Sequence, residues 1–358
     1  MKRYLGSANG ERFAVRHVMS VIVLFGGRSD ERQVSVASAQ NIVRTLGSPF
    51  AWFWTPEGAV HDVAIDDLLT HQNPFEAEFH PKRPAIWPTL EQALDTIPVD
   101  DPIFFLALHG GEGEDGTVQK MLEQRGLPFT GSHSVASAVA FDKGRAKAAL
   151  RSKVRMAEER IVSVPADVAR AAREMLAKYP KIVLKPIAGG SSRGLFFLER
   201  GHDFTEPVSV PYIIEQFISG RELTIGVADM GEGPFALPVI EIEVDPGRSF
   251  DYLGKYLGKG TREICPANIP DSMRDTAQHA ALTAHIELGC EGYSRTDVIA
   301  ADDGIYFLEL NTLPGMTTSS LVPQELHTVG IDFRAFLERQ MELARKATQR
   351  PAKAGVPG

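Results

Sequence analysis

The sequence predicts an α/β protein whose chain opens on a parallel sheet and closes on short, mostly antiparallel strands. Three observations carry this. A strand, glycine-turn, helix pattern occurs twice before residue 126, residues 132–180 are helix-rich and charged, and from Lys181 onward the texture changes to short apolar strands.

The elements follow in chain order. Residues 21–25 (VIVLF) are an apolar run ending at Gly26-Gly27, as in a buried parallel strand entering a tight turn. Asp30, with Gln33 three residues on, has capping-box spacing for a helix that runs to Gly47 as its C-cap. Residues 103–108 (IFFLAL) repeat the pattern, ending in His109-Gly110-Gly111, ahead of a helix over 117–125. In open sheets of this kind ligands bind beyond the carboxyl ends of the strands, where Glu31 and His109 fall. After Lys181 the segments KIVLKP, LFFLE, YIIEQFI, ELTIGVA, LPVIEIEV, SRTDVIA and IYFLELN read as a mostly antiparallel sheet with helices on one face. FRAFLERQMELARK reads as a final amphipathic helix, and residues 1–18 and 346–358 as flexible extensions.

Composition excludes several classes. The 358 residues suffice for two or three domains, and 43% hydrophobic with 23% charged is ordinary globular usage. A formal net charge of −8 argues against a general nucleic-acid or membrane-surface binder. Cys265 and Cys290 lack metal-site spacing and are expected as reduced thiols. No apolar run approaches the roughly 18 residues of a membrane helix, so the cytoplasm is the expected compartment.

Two motifs mislead. Gly111-x-Gly113-x-x-Gly116 has the spacing of a dinucleotide loop, but Glu112, Glu114 and Asp115 would repel a pyrophosphate. Gly190-x-Ser192-x-Gly194 fits a serine elbow, yet a strand rather than a helix is expected after it. A Walker loop is absent, so any nucleotide is held by another device.

Other motifs agree with one another. Arg295 and Asp297 are two apart in one expected strand, and Glu309 and Asn311 are two apart in another. Strand side chains alternate, so each pair shares a face, and Asp297, Glu309 and Asn311 together make an oxygen site suited to Mg²⁺ or Mn²⁺. A strand pair with a salt bridge from Arg295 is the alternative. Lys185 precedes the small-residue loop IAGGSSRG, which can wrap phosphate oxygens, or form a plain hairpin. In YIIEQFISG, Glu215, the backbone of 216–218 and nearby Glu222 can read an adenine and ribose, or form an ordinary strand and hinge.

Taken in order, LFGGRSDERQVSVASA, LALHGGEGEDGTVQKMLE, AFDKGRAK, VLKPIAGGSSRG, IIEQFISGRELTIGV, FDYLGKY, GCEGYSRTDVI and FLELNTLPGMTTSSLVP resemble the D-alanine–D-alanine ligase family of the ATP-grasp fold, from Val21 to about Leu343. The resemblance implies an N-terminal parallel α/β domain over 19–131 and two α+β subdomains, 132–214 and 215–345, that sandwich ATP. It implies that Lys143 and Lys185 contact ATP phosphates, that Glu215, Phe217 and Ile218 line the adenine pocket, that Glu222 holds the ribose, and that Lys255 reaches the nucleotide from a mobile loop. Asp297, Glu309 and Asn311 would hold two divalent ions, Mg²⁺ or Mn²⁺. Glu31 would bind the ammonium of the first D-alanine beside His109, and Glu31, Ser191 and Tyr256 would form a hydrogen-bonded triad. Arg295 and the Gly315 N–H would stabilise an oxyanion, while Ser320 and Leu321 bind the second substrate. The implied activity is ATP-dependent joining of two D-alanines through an acyl phosphate for peptidoglycan precursors, by a homodimer. A ligase for another amino- or hydroxy-acid pair and a silent nucleotide-binding regulator are the alternatives. Arg193 departs from the small apolar residue common at its position, the usual glycine–proline turn is missing from residues 151–164, and residues 48–100 match weakly.

Overall fold

The computed structural model describes residues 20–190, 193–244 and 261–348. The two expected terminal extensions therefore lie outside the described residues, apart from 346–348, which continue the last helix.

The chain begins with β1 (Ser20–Gly26), α1 (Arg32–Leu46), β2 (Phe50–Trp54), β3 (Val60–Val63), α2 (Ile65–Leu69), α3 (Leu90–Asp95), β4 (Pro102–Leu106) and α4 (Thr117–Glu123). Its sheet has the order β3-β2-β1-β4, with β1 parallel to β2 and β4 and β3 antiparallel at the edge. Ile22, Val23, Leu24 and Phe25 are fully buried because the strand is covered on both faces. Two glycines end it for a steric reason: a Cβ at Gly26 would lie 2.4 Å from the Trp54 carbonyl oxygen, and the residue has φ +93°. The expected cap at Asp30 is corrected. Glu31 is the N-cap residue, without a side-chain cap bond, and Asp30 is instead ion-paired with Arg193. Gly47 does close α1, its N–H bonding Val43 O at 2.9 Å.

There follow α5 (Ser134–Phe141), α6 (Lys143–Leu150), β5 (Glu159–Val162), α7 (Val168–Lys178), β6 (Lys181–Pro186), β7 (Phe196–Glu199) and β8 (Tyr212–Gln216). Strands β5-β8-β6-β7 form an antiparallel sheet. Helix α7 covers it with Val168, Ala171, Ala172, Met175 and Leu176, the i, i+3, i+4, i+7 stripe of an amphipathic helix.

The rest comprises β9 (Arg221–Asp229), β10 (Pro234–Ala236), β11 (Ile240–Val244), β12 (Thr261–Ile264), α8 (Asp271–Glu287), β13 (Tyr293–Ala301), β14 (Gly304–Asn311), α9 (Leu321–Thr328) and α10 (Phe333–Thr348). The strands form a second antiparallel sheet, β12-β11-β9-β13-β14, with β10 on β9. The late strands thus make two sheets, not one. The expected division at 214/215 also falls inside β8, all of which pairs within the smaller sheet. Helices α5 and α6, expected with that sheet, pack on the larger one, where Ala140, Ala146 and Leu150 meet Phe307 and Leu310.

The largest core joins the parallel sheet to the chain's end: Phe104 and Leu106 share it with Tyr293, Met316, Val322, Phe336 and Met341. Among the described residues no helix is long and apolar enough to cross a membrane. Both cysteines are free, as expected.

Candidate active site

Strands β13 and β14 bring the two carboxylate pairs together. Asp297 stands opposite Glu309 and Arg295 opposite Asn311, so the four side chains occupy adjacent positions of one antiparallel ladder. Arg295 grips both oxygens of Asp297, at 2.9 and 2.8 Å, and Thr224 Oγ1 donates to Oδ1 at 2.6 Å. The salt bridge that the sequence allowed as an alternative therefore exists, but it is part of the site: Arg295 lines a small recess with Glu309 and Asn311. Asn311 Oδ1 accepts the Leu313 N–H at 2.8 Å.

The oxygen donors fit a hard divalent ion by chemistry: two carboxylates and one amide oxygen, in register on neighbouring strands. Among the described residues no group of three or more His, Cys, Asp or Glu is placed to hold a metal, so this set needs other oxygens, such as those of a phosphate, to complete a shell.

Beside these strands, between the two antiparallel sheets, lies a cleft of about 690 Å³ lined by Lys143, Lys185, Glu215, Phe217, Ile218, Glu222, Asp297 and Glu309. Lys143, the first residue of α6, reaches Glu309 at 3.1 Å and donates to Gly189 O at 2.8 Å. Asp142 caps that helix by accepting the Arg145 N–H at 2.9 Å. Lys185 Nζ is 2.6 Å from Glu215 Oε2, and Lys147 forms an ion pair with the other Glu215 oxygen.

Lys147 was not singled out from the sequence. Its signal is its place four residues after Lys143, one helical turn along the same face. Burial raises the Glu215 pKa, but the two ammonium groups outweigh it and hold the carboxyl at about 2. Burial lowers the Lys147 pKa despite Glu215, whereas at Lys185 the attraction of Glu215 overcomes burial and the pKa rises. Glu215 lines the cleft as expected, but its carboxylate is occupied by lysines rather than open to a base. The N–H groups of Gln216 and Phe217 are likewise bonded, to Glu158 O at 2.9 Å and Lys181 O at 3.1 Å, which takes these two donors out of the backbone expected to be open over 216–218.

The recess next to the cleft is lined by Glu31, Glu114, Lys143, Gly190 and Arg295. A Cβ at Gly190 would come within 2.8 Å of Glu31 Oε2, and one at Gly110 within 2.7 Å, so the carboxylate needs glycine on two sides. His109 is buried; its Nε2 meets Ser38 Oγ at 3.0 Å and its Nδ1 lies 3.8 Å from Glu114, which lines the recess. The glycine-rich loop at 111–116 is no phosphate cradle: Glu112 pairs with Arg28, and Asp115 accepts the Thr117 N–H at 2.9 Å. The 190–194 motif leads into strand β7, as expected, and not into a helix.

Ser320 is the N-cap residue of α9, and its Oγ accepts the Thr317 N–H at 3.0 Å. Gly315 lies against it, a Cβ there falling 2.6 Å from Ser320 Oγ. The Leu321 side chain is buried in a cluster with Ile240 and Ile242. Ser191, Lys255 and Tyr256 lie outside the described residues.

Comparison with known proteins agrees across the chain. The model of the D-ala D-ala ligase N-terminus matches residues 20–132, and that of the D-ala D-ala ligase C-terminus matches 149–342. The chain is 36% identical over 347 residues to a D-alanine–D-alanine ligase of Nitratidesulfovibrio vulgaris strain DP4, covering 93% of this chain and all of the relative. It is 34% identical over 354 residues to one from Leptospira interrogans serovar Lai, covering 91% of this chain and 98% of the relative. Among solved structures, the VanG D-Ala:D-Ser ligase of Enterococcus faecalis superposes with TM-score 0.73 at 27% identity, covering 90% and 98% of the two chains. The D-alanine–D-alanine ligase of Coxiella burnetii gives 0.72 at 25%, covering 92% and 96%.

Proposed function

The chain belongs to the D-alanine–D-alanine ligase family, and on that premise we propose that it joins two D-alanines at the expense of ATP, in the cytoplasm, for peptidoglycan precursors. The observation that carries this reading is the adjacency of two sites: a cleft edged by Lys143, Lys185, Asp297 and Glu309, and a recess holding Glu31 and Arg295. The first suits a nucleotide's phosphates, the second an amino acid.

A carboxylate resists attack by an amine. In the proposed reaction a carboxylate oxygen of the first D-alanine attacks the γ-phosphorus, the bond to the β-phosphate oxygen breaks, and ADP leaves. The amine of the second D-alanine then attacks the acyl carbon, phosphate leaves with the electron pair of its C–O bond, and the nitrogen loses a proton. Lys143 and Lys185 neutralise phosphate charge. Asp297, Glu309 and Asn311 would hold two Mg²⁺ or Mn²⁺ ions, which would supply charge neutralisation and orientation of the phosphates. Glu31 pairs with the first substrate's ammonium, with His109 beside it, and Ser320 binds the second substrate's carboxylate at the start of α9, next to Leu321. Arg295, already aligned by Asp297, and the Gly315 N–H face the tetrahedral oxyanion.

Phe217, the Ile218 backbone and Glu222 receive adenine and ribose, while Glu215 acts by holding Lys185 in place. The roles expected of Ser191 and Tyr256 beside Glu31, and of Lys255 at the nucleotide, fall on residues outside those described. The partners are small molecules and a second copy of the chain, with no nucleic acid or membrane; the net charge of −8 supports the latter.

The test is ADP release with and without D-alanine, with product mass checked across a panel of amino-acid pairs. D-alanine should stimulate release and yield the dipeptide. ATP binding without stimulation by D-alanine would overturn the reading.

A further inference from the structure

Helix α1 contributes more than Glu31. Ser38 and Asn41 lie three apart on one face, two turns beyond it. Together they hold both backbone groups of Met316, 275 and more residues away: Ser38 Oγ accepts the Met316 N–H at 3.1 Å, and Asn41 Nδ2 donates to the Met316 carbonyl at 2.8 Å. Ser38 Oγ also bonds His109 Nε2 at 3.0 Å. These contacts are sheltered, Ser38 being fully buried and Met316 2% exposed.

The helix is itself anchored. Ser35 Oγ accepts the Gly26 N–H at 2.7 Å and donates to Ala107 O at 2.6 Å, tying α1 to β1 and to the end of β4. From Glu31 to Ser38 is about 10 Å along a rigid rod. The segment after β14 is held at each end: Asn311 takes the Leu313 N–H, and Ser38 and Asn41 take Met316. Gly315 lies between these fixed points, with its Cα against Ser320.

We infer that Ser38 and Asn41 are positioning residues for the amine-attack step: they fix the peptides on either side of Met316, and so anchor the Cα of Gly315 that carries the oxyanion-binding N–H, relative to the Glu31 ammonium site at the start of the same helix. The inference rests on the ligase reading above. An oxyanion donor works only when it is fixed in advance, and a displacement of about 1 Å can cost on the order of 10²-fold in rate. The acyl phosphate that waits for a misplaced donor meets water instead, giving D-alanine and phosphate, so ADP then outruns dipeptide.

The experiment compares Asn41→Asp, which keeps the shape but loses the donor, and Ser38→Ala with the wild type. It reads kcat for dipeptide, the ratio of ADP to dipeptide, and ATP affinity by calorimetry. Dipeptide formation should fall about 10- to 100-fold and the ADP-to-dipeptide ratio should rise, with the Kd for ATP within about twofold. Wild-type kcat and ratio in both variants would overturn the inference. So would a parallel loss of ATP affinity at an unchanged ratio, which marks a general folding defect. Failure of the ligase reading shows separately, as wild-type protein that releases no ADP in response to D-alanine.

Discussion

Asp297 and Glu309 face each other across β13 and β14, yet each carboxylate meets a different cation, Arg295 for one and Lys143 for the other. Two acids can stand side by side because each negative charge is compensated from its own side. Divalent ions would add to that compensation.

Removing either acid should therefore abolish turnover for separable reasons. Glu309→Gln loses an oxygen charge and the Lys143 contact, while Asp297→Asn also releases Arg295. Both should lower kcat by at least about 10²-fold in an ADP-release assay. Raising Mn²⁺ should recover part of the loss in Glu309→Gln. Near-normal rates in both variants would remove the metal assignment.

Lys147 and Glu215 are 1% and 3% exposed, and Lys185 completes the cluster. Lys147→Ala leaves the buried carboxylate with one cation, and denaturant unfolding should show a loss of about 3–5 kcal/mol. Combining Lys147→Met with Glu215→Gln should cost less than the two single changes summed, as double-mutant cycles would show.

The same carboxylate gives a pH signature. Its folded pKa of about 2 lies below the ordinary 4.5, so its contribution is complete above pH 4.5 and is lost as pH falls through that range toward 2. Thermal melts of Glu215→Gln should accordingly lack part of the wild type's acid sensitivity below pH 4.5.

His133 joins α4 to the turn before β13, between Glu123 at 3.2 Å and Glu291 at 3.1 Å. The hydrogen bond that His133 donates to Glu291 raises its pKa above 6.5, against an opposing effect of burial. A raised histidine pKa stabilises the fold fully below pH 6.5, and the gain disappears as pH rises through the folded value. The Tm difference between wild type and His133→Gln should therefore be largest in mild acid and shrink toward alkaline pH.

Gly190 abuts Glu31 so closely that any side chain displaces the carboxylate. Gly190→Ala should raise the KM for the first D-alanine about tenfold, roughly 1.4 kcal/mol, and by more than it raises the Kd for ATP, whose cleft Gly190 also lines. Equal losses for both ligands would place the effect elsewhere.

Much of this protein was legible locally. The alternation that puts Arg295 with Asp297 and Glu309 with Asn311 on one face is a property of any strand, and the apolar runs of β1 and β4 announce burial without reference to partners. Helix α7 declared its buried stripe by period alone. Residues 48–100 were harder, because β2 is the aromatic run FAWFW, whose four buried residues show no alternation, and β3 has four residues.

What the sequence determined by itself is the set of short-period relations: which residues alternate, cap, turn or share a helical face. Tertiary structure alone decided that Glu215 lies between two lysines, that the late strands divide into two sheets around a cleft, and that Ser38 and Asn41 hold Met316. The reason is physical. Local spacing follows from the geometry of one element, whereas contacts across hundreds of residues depend on how whole elements pack, and packing leaves no period in the chain.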